Sequence, residues 1–236
     1  MFACEETVHH RRAGPPRLIL ASGSPRRAEI LRQLGLEFRI LPADIDESLL
    51  PGESPGASAV RLASEKAAAR ARSGALCLGC DTLVVHGGEV LGKPGSPAEA
   101  ARMLARLAGD EHRVFTGIAL AAPGRVERAV EETRVRFRPL QAGEIQEYVA
   151  TREPLDKAGS YGIQGFGAAI VSQVEGDFFN VMGLPVPRLL ELLGRFGWRY
   201  AFGALRPAGP EARPRASGAR PQAPEGSPAG SPDPSR

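Results

Sequence analysis

At 236 residues, with 42% hydrophobic and 24% charged residues and a formal net charge of +3, the chain can bury one large core or two small lobes and has an ordinary globular composition. No uninterrupted apolar stretch is long enough to span a membrane, and three cysteines (Cys4, Cys77, Cys80) are too few for a disulfide framework. Five Arg against Glu211, Glu225 and Asp233 lie beyond Leu205, so the body of the chain is nearly neutral, which argues against a large nucleic-acid-binding face but not against a local cationic cleft.

Residues 1–14 are polar, include His9-His10 and end at Gly14-Pro15-Pro16. They read as a loose extension with no apolar secretory signal, and a reducing cytoplasm is the expected setting. Leu18-Ile-Leu-Ala then predicts a short buried strand. It turns through Ser22-Gly23 into a helix with Ser24 as N-cap, Pro25 at the first helical position and Gly35 at the end. Arg26 and Arg27 fall in that helix's first turn, where the dipole favours an anion. A pair of cations there makes sense if a polyphosphate is held between backbone N–H groups and the two guanidinium groups.

A second strand is expected over Glu37–Leu41, then a loop carrying Asp44, Asp46 and Glu47. An Ala-rich helix follows over Ala57–Arg72, with Val60, Ala63 and Ala67 on its buried stripe and Glu65 and Lys66 beside it. Leu76–Cys80 reads as a buried strand ending at Asp81-Thr82. Leu83–Val85 and Glu89–Leu91 form a hairpin around His86-Gly87-Gly88. Ser96-Pro97-Ala98-Glu99 is a capping box that starts a helix to Ala108. Two long strands follow, Arg113–Ala122 and Arg125–Pro139, with Thr133, Val135 and Phe137 on one face of the second and Arg134, Arg136 and Arg138 on the other. Then come a short helix (Glu144–Ala150), a Gly-rich charged loop (Glu153–Gly167), a strand (Ala168–Val174) and a last helix to Phe196. Eight of the 21 prolines lie beyond Leu205, and that tail is too poor in aliphatic residues to order itself. The expected organisation is an extension (1–14), one domain (15–200) and a disordered tail (201–236). The expected class is α/β, with a mixed twisted sheet in two lobes.

Ser22, Arg26, Arg27, Glu47, Lys66, Asp81, Thr82, Lys93, Lys157 and Gln164 fall at strand ends or in Gly-rich loops, where binding groups concentrate. The cations can neutralise a triphosphate. Glu47 and Asp81 can hold a hard divalent cation (Mg or Mn) and position a water. Gln164 carries both a donor and an acceptor for a base edge. Three features are decoys. Gly87–Lys93 imitates a P-loop, but Pro94 replaces its Ser or Thr and a hairpin surrounds it. Cys77-x-x-Cys80 lies on a strand, so its thiols point to opposite faces and pack in the core. His86 and His112 read as surface residues.

Ser22-Gly-Ser-Pro-Arg-Arg27, Glu47, Glu65-Lys66-Ala67, Gly79-Cys-Asp81-Thr82, Leu91-Gly-Lys-Pro94, Phe115-Thr-Gly117, Asp156-Lys-Ala-Gly-Ser-Tyr-Gly-Ile-Gln-Gly165 and Asn180-Val-Met-Gly-Leu-Pro185 together resemble the Maf family of nucleoside triphosphate pyrophosphatases, from about Arg17 to Phe196. Members have also been described as septum-formation inhibitors. The resemblance implies a Maf/ITPase-like fold with a nucleotide-binding cleft, and metal-dependent cleavage between the α and β phosphates. It implies Asp81 as proton acceptor and Glu47 and Asp81 at the metal. Lys66 and Lys93 would bind phosphate or support the metal site. Arg26, Thr82 and Gln164 match specificity positions, and the Asp-Thr pair with Tyr-Gly-Ile-Gln looks like the dTTP/UTP branch. Cys80 stands where Ala is usual. The expected partner is a nucleoside triphosphate, with no stable nucleic-acid binding and no membrane. A homodimer is compatible with the sequence, which does not determine the oligomeric state.

Overall fold

The computed structural model describes residues 16–209. The extension at 1–14 and the tail from 210 lie outside the described residues. Strand β1 (Arg17–Leu20) leads into helix α1 (Pro25–Gln33), then β2 (Phe38–Ile40), α2 (Pro55–Ala68), β3 (Ala75–His86), β4 (Glu89–Leu91) and α3 (Pro97–Leu107). The second half runs β5 (Glu111–Ala122), β6 (Arg125–Phe137), α4 (Ala142–Ala150), three short 3-10 turns, β7 (Val171–Glu175), α5 (Phe178–Val181), α6 (Val186–Arg195), β8 (Trp198–Tyr200) and β9 (Leu205–Pro207). The main sheet has seven strands in the order β2-β1-β3-β5-β6-β7, with β4 paired to β3. Strands β2, β1 and the start of β3 are parallel, and the rest are antiparallel. The mixed α/β class is therefore as expected.

Side-chain alternation along β3 and β5 divides the core into two layers. Leu76, Leu78, Cys80, Val84, Val114, Ile118 and Leu120 face the large cluster, which also takes in α1, α3, α4 and α6. Ala75, Cys77, Ala119 and Ala121 face a small cluster built with Ala63 and Ala67 of α2. Cys77 and Cys80 thus lie on opposite faces, both free and buried. The second face is lined with small residues because α2 lies unusually close to the sheet. A Cβ at Gly79 would stand 2.6 Å from Ala67 N, and one at Gly117 would stand 2.5 Å from Val60 N and closer still to Ala59 O. Neither separation is sterically possible, so both positions need glycine.

Four expectations are corrected. The buried stripe of α2 is Ala59, Leu62, Ala63, Lys66 and Ala67, while Val60 is only half-buried. Lys66 lies within that stripe, not beside it. Asp81-Thr82 is not a strand end, because β3 continues unbroken to His86. The chain also remains ordered past residue 201. Leu205–Pro207 pairs with Trp198–Tyr200, and Tyr200 Oη donates to Leu34 O at 2.9 Å, which ties the hairpin to the end of α1. Aromatic residues before the turn anchor a segment whose own composition is poor.

Fourth, His112 is not a surface residue. Strand β5 starts two residues earlier than expected, so its alternation puts His112 on the core face with Val114 and Thr116. The ring is 1% exposed, sits 2.8 Å (Nε2) from Tyr161 Oη, and meets Phe137 edge-on. Burial, the largest influence, pushes its pKa down from the ordinary 6.5 to about 4. The unfolded chain then takes up the proton first. Stability from the neutral ring is fully present above pH 6.5 and is lost as pH falls towards 4, by about 3 kcal/mol at most. Urea midpoints between pH 7 and 4.5 are expected to fall more steeply for wild type than for His112→Gln, which cannot titrate. Parallel curves would refute this.

Candidate active site

The site starts from a defect in sheet pairing. Strand β1 pairs with Ala75–Leu78 and β4 with Val84–His86. Between them, residues 79–83 have a partner only on the β5 side. The sheet therefore opens midway along β3, at the point where parallel pairing gives way to antiparallel. Open α/β sheets place ligands at such switch points. A cleft of about 990 Å³ lies here, and all ten residues singled out from the sequence line it.

Asp81 shares its face with Cys77 and Gly79, towards α2. From α2, Lys66 reaches the same point. Its Nζ lies 2.6 Å from Asp81 Oδ1 and 2.7 Å from Glu47 Oε1. Asp81 and Lys66 are buried, while the Glu47 side chain is 59% exposed on its loop. The bond to Lys66 is the main cause holding the Glu47 carboxyl below its usual range, with the charge of Lys93 contributing. Lys93 itself follows β4 and is exposed on the cleft wall. The hairpin before it confirms that Gly87–Lys93 is not a P-loop, since no helix follows Lys93 directly.

The opening motif behaves differently at its two arginines. Arg26 is half-buried beside the cleft. Burial lowers its pKa, against the opposing influence of Asp156. Arg27 is buried and bonded to the protein through all three of its nitrogens. Its Nε donates to Gly183 O at 2.8 Å, Nη1 to Ser22 Oγ at 2.8 Å and Nη2 to Thr82 Oγ1 at 3.1 Å. It clamps three segments together rather than presenting a free fork to an anion. Thr82 Oγ1 also lies 3.0 Å from Thr116 Oγ1, and Thr116 donates to Asn180 O at 2.9 Å. Asn180 Nδ2 donates to Val114 O and Thr133 Oγ1. The Asn180–Pro185 stretch is thereby fixed against the sheet.

Across the cleft, Lys157 Nζ donates to Glu153 O and Asp156 Oδ1, each at 2.6 Å. Gly159 N donates to Gly92 O at 3.1 Å, which ties this loop to the Lys93 wall. Gln164 is exposed at the start of the turn Gly165–Ala169, and its side chain does not cap that turn. Glu153 and Tyr148 were not singled out from the sequence. In the sequence Glu153 only opens a charged loop, and Tyr148 only falls within the short helix expected over Glu144–Ala150. A glutamate at the head of a glycine-rich loop was the available signal.

Five cationic side chains and four carboxylates line the cleft. That surplus is far smaller than the charge of a triphosphate. The arrangement suits an anionic ligand.

The family model described as Maf-like protein matches residues 17–196. The chain belongs to the Maf family. Among curated Maf relatives, the dTTP/UTP pyrophosphatase of Moorella thermoacetica is 54% identical over 185 residues, covering 77% of this chain and 95% of that protein. The dTTP/UTP pyrophosphatase of Symbiobacterium thermophilum is 50% identical over 183 residues, covering 77% and 94%. Among solved structures, the Staphylococcus aureus Ham1 protein matches at a TM-score of 0.38 with 15% identity, covering 66% of this chain and 79% of that one. The Maf match ends at residue 196, so the β8–β9 hairpin lies beyond it.

Proposed function

We propose that this Maf protein hydrolyses the α–β phosphoanhydride of dTTP and UTP, giving the nucleoside monophosphate and pyrophosphate. The observation that carries the reading is Asp81, a buried carboxylate at the break in the sheet, ion-paired to Lys66 and facing a cleft rimmed by Arg26, Lys93 and Lys157. In the proposed step a water oxygen bonds to the α phosphorus and its proton passes to Asp81. The bond from that phosphorus to the bridging oxygen breaks, and pyrophosphate leaves. Such a reaction needs charge neutralisation and an aligned water more than a protein nucleophile. Lys66 holds Asp81 in place, and the rim cations bind the phosphates.

The donor set fits a divalent cation. Glu47 and Asp81 are hard oxygen donors whose Oε1 and Oδ1 meet at the Lys66 ammonium, which leaves Oε2 and Oδ2 to hold an ion beside it. No group of three or more His, Cys, Asp or Glu able to hold a metal occurs among the described residues, so the other positions would fall to phosphate oxygens and water, as magnesium commonly accepts. When bound, the ion would neutralise phosphate charge and polarise the anhydride. We also infer a cytoplasmic setting. It is supported by free, buried Cys77 and Cys80, and no described helix is long and apolar enough to cross a membrane.

Pyrophosphate release from dTTP, UTP, CTP, dATP, GTP and 7-methyl-GTP, with Mg²⁺ or Mn²⁺, tests the proposal. Turnover is expected for dTTP and UTP and is expected to vanish with EDTA. Turnover confined to another nucleotide would keep the chemistry and discard the pyrimidine assignment. Folded, metal-supplied protein that turns over none of them would refute the activity.

A further inference from the structure

The stretch from Lys157 to Gly167 carries Lys157 and Gln164, yet its regular structure amounts to short 3-10 turns. One carboxylate sets its shape. Glu153 Oε1 accepts from Tyr148 Oη at 2.8 Å and from Gly167 N at 3.0 Å, and Oε2 accepts from Phe166 N at 3.0 Å. Tyr148 Oη in turn accepts from Gly162 N at 3.1 Å. The backbone on both sides of Gln164 is thus tied to a single acid–phenol pair. Glycines make the wrap possible. A Cβ at Gly165, where φ is +67°, would stand 2.5 Å from Glu153 Oε2, and one at Gly162 would stand 3.3 Å from Oε1. Burial and the adjacent carboxylate raise the Tyr148 pKa, so the phenol remains a donor.

We propose that Glu153 and Tyr148 are a positioning pair that fixes residues 162–167 and so presents Gln164 to the nucleobase from one fixed backbone position. This rests on the nucleotide reading above. Thymine and uracil present an acceptor at O4, whereas cytosine presents an amino donor at the same place. A glutamine amide carries both a donor and an acceptor and can satisfy either base by rotating. It discriminates between them only if its surroundings hold it. The geometry supplies the backbone part of that restraint: it fixes the point from which the Gln164 side chain reaches the base, through groups whose polar atoms are turned towards the loop.

Tyr148→Phe keeps the ring and removes the hydroxyl. Glu153→Gln sets an amide donor against the Phe166 or Gly167 N–H. For both, KM for UTP and dTTP is expected to rise about tenfold, on the scale of one lost buried hydrogen bond. The kcat is expected to stay within about twofold, and the UTP:CTP preference in kcat/KM to fall by about tenfold. Amide exchange at 162–167, measured without nucleotide, is expected to speed up. If Glu153→Gln does not fold, Tyr148→Phe decides. Unchanged exchange at 162–167 would overturn the positioning pair, as would a lower kcat with KM and base preference intact. A wild type inactive on both UTP and dTTP would instead overturn the nucleotide reading on which the pair depends.

Discussion

Asp81→Asn is expected to lower kcat for dTTP and UTP by about 10³-fold while leaving nucleotide affinity, measured without a divalent cation, unchanged or slightly improved. The substitution preserves shape and removes one negative charge. A proton acceptor in a hydrolytic step contributes roughly 10² to 10⁴ in rate, and an amide cannot serve. Affinity without the cation should not suffer, because the lost carboxylate repels the incoming phosphates; with the cation present, affinity should fall less than turnover, because Glu47 and the phosphates still hold the ion. The fold should also survive. Lys66 would otherwise be left as an unpaired buried cation, which costs about 3–5 kcal/mol, but it keeps Glu47 as a partner at 2.7 Å. Turnover and isothermal titration with a non-hydrolysable analogue separate these effects. Normal turnover in the variant would remove Asp81 from the chemistry. Equal losses in binding and turnover would reassign it to ligand binding.

Gly117→Ala is expected to destabilise the protein by about 3 kcal/mol or more, because the added methyl group meets helix backbone rather than a movable side chain. Gly117 pairs in register with Asp81 on β3, and its missing Cβ is what lets Ala59 and Val60 of α2 approach the sheet. Relief requires α2 to move outward, and α2 carries Lys66. For a domain of this size the change corresponds to a fall in melting temperature of about 6–12 °C. Activity should fall as well, since Lys66 would be drawn away from Asp81. Gly143→Ala, in α4, is the control. A Cβ there meets nothing within 4 Å, and alanine is the better helix former. Equal melting temperatures for Gly117→Ala and Gly143→Ala would show that the sheet accommodates the methyl group and that close approach of α2 is not required.

Gly79 and Gly117 show where sequence reading stops. Both lie in motifs that the sequence made conspicuous, Gly79-Cys-Asp81-Thr82 and Phe115-Thr-Gly117. Nothing in a strand pattern says that a helix backbone occupies the space above them. His112 shows the same limit. It follows Gly109-Asp110 and reads as a surface residue, and the pairing of Glu111 with Arg136 and of His112 with Val135 extends β5 far enough to bury it.

What the sequence by itself determined was local and chemical. Pro25 and Ser24 start α1, alternating residues pattern β6, and all ten polar residues expected to bind or react line the cleft. These follow from backbone propensity, side-chain period and functional-group chemistry, which act over a few residues. The tertiary structure decided which of those groups are available. It engaged Arg27 in a clamp on Ser22, Thr82 and Gly183, buried Lys66 between two carboxylates, and made Glu153 the anchor of the Gln164 loop. The contacts that define these roles join residues as many as 156 positions apart. No short-range pattern encodes such a distance, because it is set by how the sheet opens at β3 and by what packs against the opening.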